Sequence, residues 1–176
     1  EWEQDGKTAK LDLFYDKIGD AGATVLARAL EKDTVLTWLQ LQRTKIGDAG
    51  ATALARALEQ NTVLGGLVLE DNNIGDVGAI ALARALDENT ELANLWLTNN
   101  KISDSGAIAL CRLQKKNRKV TLRGIDEAKC KRAEKREEEE QNDQKTTKEE
   151  TEKTKEKEPQ STKTSELRRF LSTHNM

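Results

Sequence analysis

Four aspartates, Asp20, Asp48, Asp76 and Asp104, recur every 28 residues, and four arginines, Arg28, Arg56, Arg84 and Arg112, keep the same step. A file of carboxylates could hold a divalent cation, and a file of guanidinium groups could bind an anion. The spacing argues against both. Each Asp stands just before an Ala- and Leu-rich run, where its oxygen can cap its own helix. Neighbouring copies lie about a repeat width apart, too far to share one small ion. Arg28, Arg56 and Arg84 are followed three residues later by Glu31, Glu59 and Asp87, which reads as i, i+3 pairing on a solvated helix face. The only histidine, His174, lies near the C-terminus, so a Ser/His/Asp or Cys/His nucleophilic site has no base where it would be needed. Cys111 and Cys130 have no metal-ligand spacing, and Cys111 takes the place of Ala27, Ala55 and Ala83, as a small buried helix residue would. The glycines of the Ile-Gly-Asp-x-Gly phrase serve a turn and close helix packing, and no phosphate-cradling loop is present. The expectation is no enzyme, no cofactor and no metal.

The elements behind these columns come from one repeated phrase. IGDAGATVLARAL, IGDAGATALARAL, IGDVGAIALARAL and ISDSGAIALCRL begin at Ile18, Ile46, Ile74 and Ile102, and Leu-x-Leu pairs at Leu11/Leu13, Leu39/Leu41, Leu67/Leu69 and Leu95/Leu97 keep the same step. Leu-x-Leu places two leucines on one side of a short strand. Ala51, Leu54, Ala55 and Leu58 follow the i, i+3, i+4, i+7 pattern of one helix face. One strand and one helix cannot bury their apolar faces alone, but stacked copies share a continuous core. The fold class is therefore α/β: a solenoid forming a short horseshoe arc, with parallel strands on the concave face and helices on the convex face.

The phrase Leu-x-Leu…Ile-Gly-Asp-x-Gly-Ala resembles a leucine-rich repeat of the ribonuclease-inhibitor type. Its wording is closest to the sensor regions of NOD-like receptors. The resemblance covers residues 11 to about 122 and implies repeats at 11–38, 39–66, 67–94 and 95–119 with a fifth strand at 120–122. The Asn expected after each strand stands only at Asn72 and Asn100, with Asp16 and Thr44 in its place earlier, so an incomplete Asn ladder is expected. Ribonuclease inhibitor itself is Cys-rich, unlike this chain. The resemblance implies a binding module more than any one partner.

Outside the repeats, residues 1–10 read as a partial repeat or imperfect cap. With no initiator Met at its start, the chain reads as a fragment or as a decayed first repeat. Residues 123–140 read as a charged helix with pairs such as Lys135 and Glu139. Residues 141–176, rich in Lys, Glu and Thr, read as a disordered tail. Between Ala133 and Glu166 no Leu, Ile, Val or aromatic occurs, which rules out a coiled-coil seam. Leu167, Phe170 and Leu171 share the spacing of a short docking helix. Formal net charge is −2, without the basic bias of a nucleic-acid domain. No apolar run is long enough for a membrane span. Two cysteines and no Asn-x-Ser/Thr site favour a cytoplasmic address, and a monomer is expected.

Helix positions repeat almost verbatim, whereas the strand's outward neighbours vary. Four of the chain's six aromatics, Phe14, Tyr15, Trp38 and Trp96, fall in these variable columns. Aromatics beside Arg are common anchors of protein interfaces. Trp38, Gln40, Arg43, Val68, Glu70, Asp71, Trp96 and Thr98 form the candidate patch for a protein partner. Two other roles are compatible with such repeats. Ran-type GTPase-activating proteins resemble this chain in repeat and charged tail, and their activity depends on an Arg in a loop insertion. Arg43 sits at such a loop, but the insertion is missing and the role is not carried over. Cytoskeletal or ciliary scaffolds are the other.

Overall fold

The computed structural model describes residues 2–4, 9–125, 128–132, 134–136 and 138–139. The element order is β1 (Trp2–Gln4), β2 (Ala9–Asp12), α1 (Gly19–Leu30), β3 (Leu36–Gln40), α2 (Asp48–Leu58), β4 (Gly66–Val68), α3 (Asp76–Glu88), β5 (Asn94–Trp96), α4 (Asp104–Lys116) and β6 (Thr121–Arg123). All six strands form one sheet in chain order. β2 to β6 pair in parallel, each with the next. The expected solenoid is present: the strands line the concave face and the helices form the convex one.

At the N-terminal edge β1 pairs antiparallel with β2, Trp2 opposite Leu11. The first repeat is thus closed by a strand added to the sheet.

The core lies between sheet and helices. Leu39, Leu41, Leu67, Leu69 and Leu95 are fully buried against Leu54, Leu58, Leu82, Leu86 and Leu110. Three strand residues and one helix face per repeat suffice because every face is shared with a neighbour.

The Asp column does not act as expected. The side chains of Asp20, Asp48 and Asp76 reach forward to the next helix and not to their own. Asp20 Oδ1 accepts the Gly47 and Gly50 N–H groups at 2.7 and 2.9 Å. Asp48 Oδ1 does the same for Gly75 and Gly78, both at 2.8 Å. Asp76 Oδ1 does so for Ser103 and Gly106. Each carboxylate therefore caps the helix of the following repeat and favours its positive end. This also explains the glycine column. A Cβ on Gly50 would lie 2.7 Å from Asp20 Oδ1, and one on Gly78 2.9 Å from Asp48 Oδ1. These glycines make room for the neighbour's carboxylate more than for helix on strand.

Two asparagine ladders tie the repeats together. Asn72 Nδ2 donates to the Leu41 and Leu69 carbonyls, while its Oδ1 accepts from the Thr44 and Ile46 N–H groups. Asn100 repeats this toward Leu69, Leu97 and Ile74. Thr44 joins the ladder through its hydroxyl, which donates to Leu41 O and to Asn72 Oδ1. The second ladder follows the helix C-termini. Asn61 and Asn89 donate to the carbonyls of Leu30 and Leu58, the last residues of α1 and α2. Asn117 reaches Leu86 of α3. Orphan carbonyls at a helix end are thus satisfied from the next repeat.

Two further expectations are corrected. Asp87 pairs at 2.6 Å with Lys116 of the next repeat and not with Arg84, since stacked helices bring that ammonium closer than their own i, i−3 neighbour. Cys111 is buried but not free: its Sγ is bonded to Cys130. The described residues of 128–134 are helical, and that segment folds back onto α4. Lys115 holds Glu134 at 2.7 Å, and Lys129 Nζ donates to Ile102 O. Further along, Lys135 and Glu139 form the expected i, i+4 pair at 3.6 Å. The tail from 140, with Leu167, Phe170 and Leu171, lies outside the described residues. No helix among the described residues is long and apolar enough to cross a membrane.

Candidate functional site

Alternate strand residues turn away from the helices and line the concave face. One register row runs Lys10, Trp38, Gly66, Asn94 and Thr121, and the next runs Asp12, Gln40, Val68, Trp96 and Arg123. Trp38 and Trp96 sit two strands apart, yet their rings meet edge to face with centroids at 5.7 Å. The contact is possible because β4 contributes glycine between them. A Cβ on Gly66 would lie 2.1 Å from Trp38 Cε3. With no side chain there, the Trp38 ring lies across β4. Edge-to-face pairs of this kind gain about 0.5–1.5 kcal/mol beyond their burial.

Val68 does not offer a surface of its own. It is 2% exposed, covered on the concave side and packed between its strand neighbours. Its place in the candidate patch is that of a floor.

Arg123 extends the row. Its guanidinium carbon lies 4.1 Å from the centroid of the Trp96 ring, a cation–π distance. Arg123 is exposed and, among the described residues, forms no ion pair. The Trp96 Nε1–H is buried and, among the described residues, has no acceptor. Trp38, Trp96 and Arg123 thus make a continuous ridge from β3 to β6.

A second file runs along the rim where the strands end. Tyr15, Arg43, Asp71 and Asn99 all hold positive φ, between 54° and 70°. The scaffold demands the left-handed conformation here, so this column is not free. Asn and Asp adopt it readily, Tyr and Arg at some cost. The side chains form a chain of contacts. Arg43 Nε lies 3.2 Å from Asp71 Oδ2, and its guanidinium stands 5.5 Å from the Tyr15 ring centre. Gln42 Nε2 and Asn99 Nδ2 also donate to Asp71, at 3.0 and 2.9 Å. The Gln42 and Asn99 hydrogen bonds, with Arg43 beside them, hold the Asp71 carboxyl below its usual pKa. The hydrogen bond and charge of Asp71 raise that of Arg43 in turn.

The candidate residues therefore fall into two groups. Trp38, Val68 and Trp96 converge on the ridge, with Gln40 next to Val68 in register. Arg43 and Asp71 belong to the rim, and Glu70 and Thr98 are half-buried beside it. The sequence reading missed Arg123, Gln42 and Asn99. Arg123 was recoverable: it follows Leu122 as Trp96 follows Leu95, one register step along β6. Among the described residues no cluster of His, Cys, Asp and Glu could hold a metal ion.

Comparison with known proteins bears on the fold. A leucine-rich-repeat family model matches residues 32–55, 60–83 and 90–111. No curated protein matches the chain. Among solved structures, the chain is similar to leiomodin-1 actin-binding site 2, with a TM-score of 0.62 and 21% identity. That match covers 81% of this chain and 87% of the other, and at this identity it speaks for the fold. The chain carries leucine-rich repeats folded into a parallel-stranded solenoid.

Proposed function

We propose that this chain is a non-catalytic interaction module that binds a protein partner through its concave face. The observation that carries the reading is the ridge of Trp38, Trp96 and Arg123. Trp and Arg lead the residues that dominate protein interfaces, and here both stand on the concave sheet face, in the register rows turned away from the helices. A pull-down comparing the native chain with Trp38→Ala/Trp96→Ala tests it. Loss of partner recovery is expected, and equal recovery of every partner would remove the concave face from the reading.

The repeat wording supports a sensor or regulatory part of a NOD-like-receptor-type protein as the finer assignment. A Ran-type GTPase-activating role has less support, because Arg43 is held by Asp71 on a loop without insertion. A cytoskeletal scaffold is a second reading, favoured by the likeness to an actin-binding site in leiomodin-1. Co-sedimentation with actin filaments separates it from the first. A cytoplasmic address is a weaker proposal than the sequence made it, since the Cys111–Cys130 bond favours an oxidising compartment.

A further inference from the structure

The concave ridge has a chemical polarity that narrows what it can bind. Its β3 end is apolar: the Trp38 ring over Gly66, with Val68 beneath. Its β6 end carries Arg123, a cation stacked on Trp96 but not neutralised by any described carboxylate. Stacking on an indole face leaves the in-plane N–H donors of a guanidinium available, and those donors match a carboxylate in bidentate fashion.

Resting on the concave-face reading above, we infer that the partner presents an acidic segment in which an aspartate or glutamate neighbours an apolar side chain. The carboxylate takes Arg123, whose guanidinium is exposed. The apolar side chain packs against Trp38.

A random peptide library displayed on phage and panned against the full-length chain tests this, with selected peptides resynthesised and titrated by calorimetry. The expected result is enrichment of Asp or Glu within two positions of an aliphatic or aromatic residue. Arg123→Gln then weakens these peptides at least tenfold, Arg123→Lys less so, and Arg56→Gln on the convex α2 leaves affinity unchanged. Circular dichroism confirms that each variant is folded. Selected peptides without acid, or with affinity indifferent to Arg123→Gln, overturn the inference. If these still lose affinity in Trp38→Ala, the concave-face reading survives; if they do not, both fall. Recovery of no peptide, or an Arg123-dependent dimer in sedimentation, also overturns it, the latter by naming a second copy as the occupant.

Discussion

Asp48 caps a helix that is not its own: its Oδ1 accepts the Gly75 N–H at 2.8 Å, 27 residues further along the chain. The same oxygen takes the Gly78 N–H, so one carboxylate satisfies two of the orphan donors at the start of α3. The bond therefore stabilises the interface between two repeats more than either repeat alone. Asp48→Ala is expected to lower stability by about 1–2 kcal/mol, the usual range for losing an N-cap. Urea denaturation measures it. Because coupling between repeats is what is lost, a shallower transition should accompany the lower midpoint.

The ladder asparagines should be far more sensitive than the rim ones. Asn72 is 6% exposed and its side chain serves the Thr44 and Ile46 N–H groups and the Leu41 carbonyl. Asn72→Ala leaves those groups buried without partners, at a cost of about 3 kcal/mol or more. Asn99 holds only the rim carboxylate Asp71 and is exposed. Asn99→Gly, which keeps the left-handed backbone, should stay within about 0.5 kcal/mol of the parent. Equal losses in thermal melts of the two variants would contradict the assignment of the first as structural.

Gly66 is expected to control the tryptophan pair. Gly66→Val places a side chain where the Trp38 ring now lies and should drive the rings apart while leaving Leu67 in the core. Near-ultraviolet circular dichroism reads the loss of the coupled indole signal, and far-ultraviolet circular dichroism should show the fold retained. A retained coupled signal would mean that the rings do not depend on the bare strand.

The repeat step made the solenoid legible in the sequence, and the Leu-x-Leu and Ile-Gly-Asp phrases placed its strands and helices. The columns were harder. Periodicity tells which face a residue occupies, not which repeat its side chain serves, so Asp20 and Asp48 read as caps of their own helices. The bonds of Asn61 and Asn89 to the preceding repeat carry no local signature. Trp38 and Trp96 stood out because they break the repeat. Their contact across β4 did not, since it needs both the strand register and the bare Gly66. Arg43 and Asp71 looked free because their types vary. The backbone there is fixed at positive φ, which a single sequence shows only weakly through Asn99.

The disulfide is expected to hold the C-terminal end of the arc. Cys111 and Cys130 are 19 residues apart, and both are buried. Cross-linking a loop of this length restricts the unfolded chain by about 3 kcal/mol. Reduction, or Cys111→Ala/Cys130→Ser, should lower the thermal midpoint and raise amide exchange in α4 and β6 first, with α1 and α2 little changed. Uniform loss of protection would argue against a local latch.

Acid should loosen the junction between the third and fourth repeats, where Asp76 reaches Ser103 and Gly106. Desolvation pushes the Asp76 carboxyl up, but hydrogen bonds from the Ser103 hydroxyl and the Ser103 and Gly106 N–H groups, with the charge of Lys129, outweigh it. Its folded pKa is therefore below the ordinary value. An acid with a depressed folded pKa stabilises fully above its unfolded pKa, about 3.9, and that contribution is lost as pH falls through the lower folded value. Thermal midpoints measured from neutral pH down to about pH 2 should drop over that window, and Asp76→Asn should flatten part of the drop while lowering stability at neutral pH. A variant with the same acid dependence as the parent would show that the Ser103 cap does not respond to Asp76 ionisation.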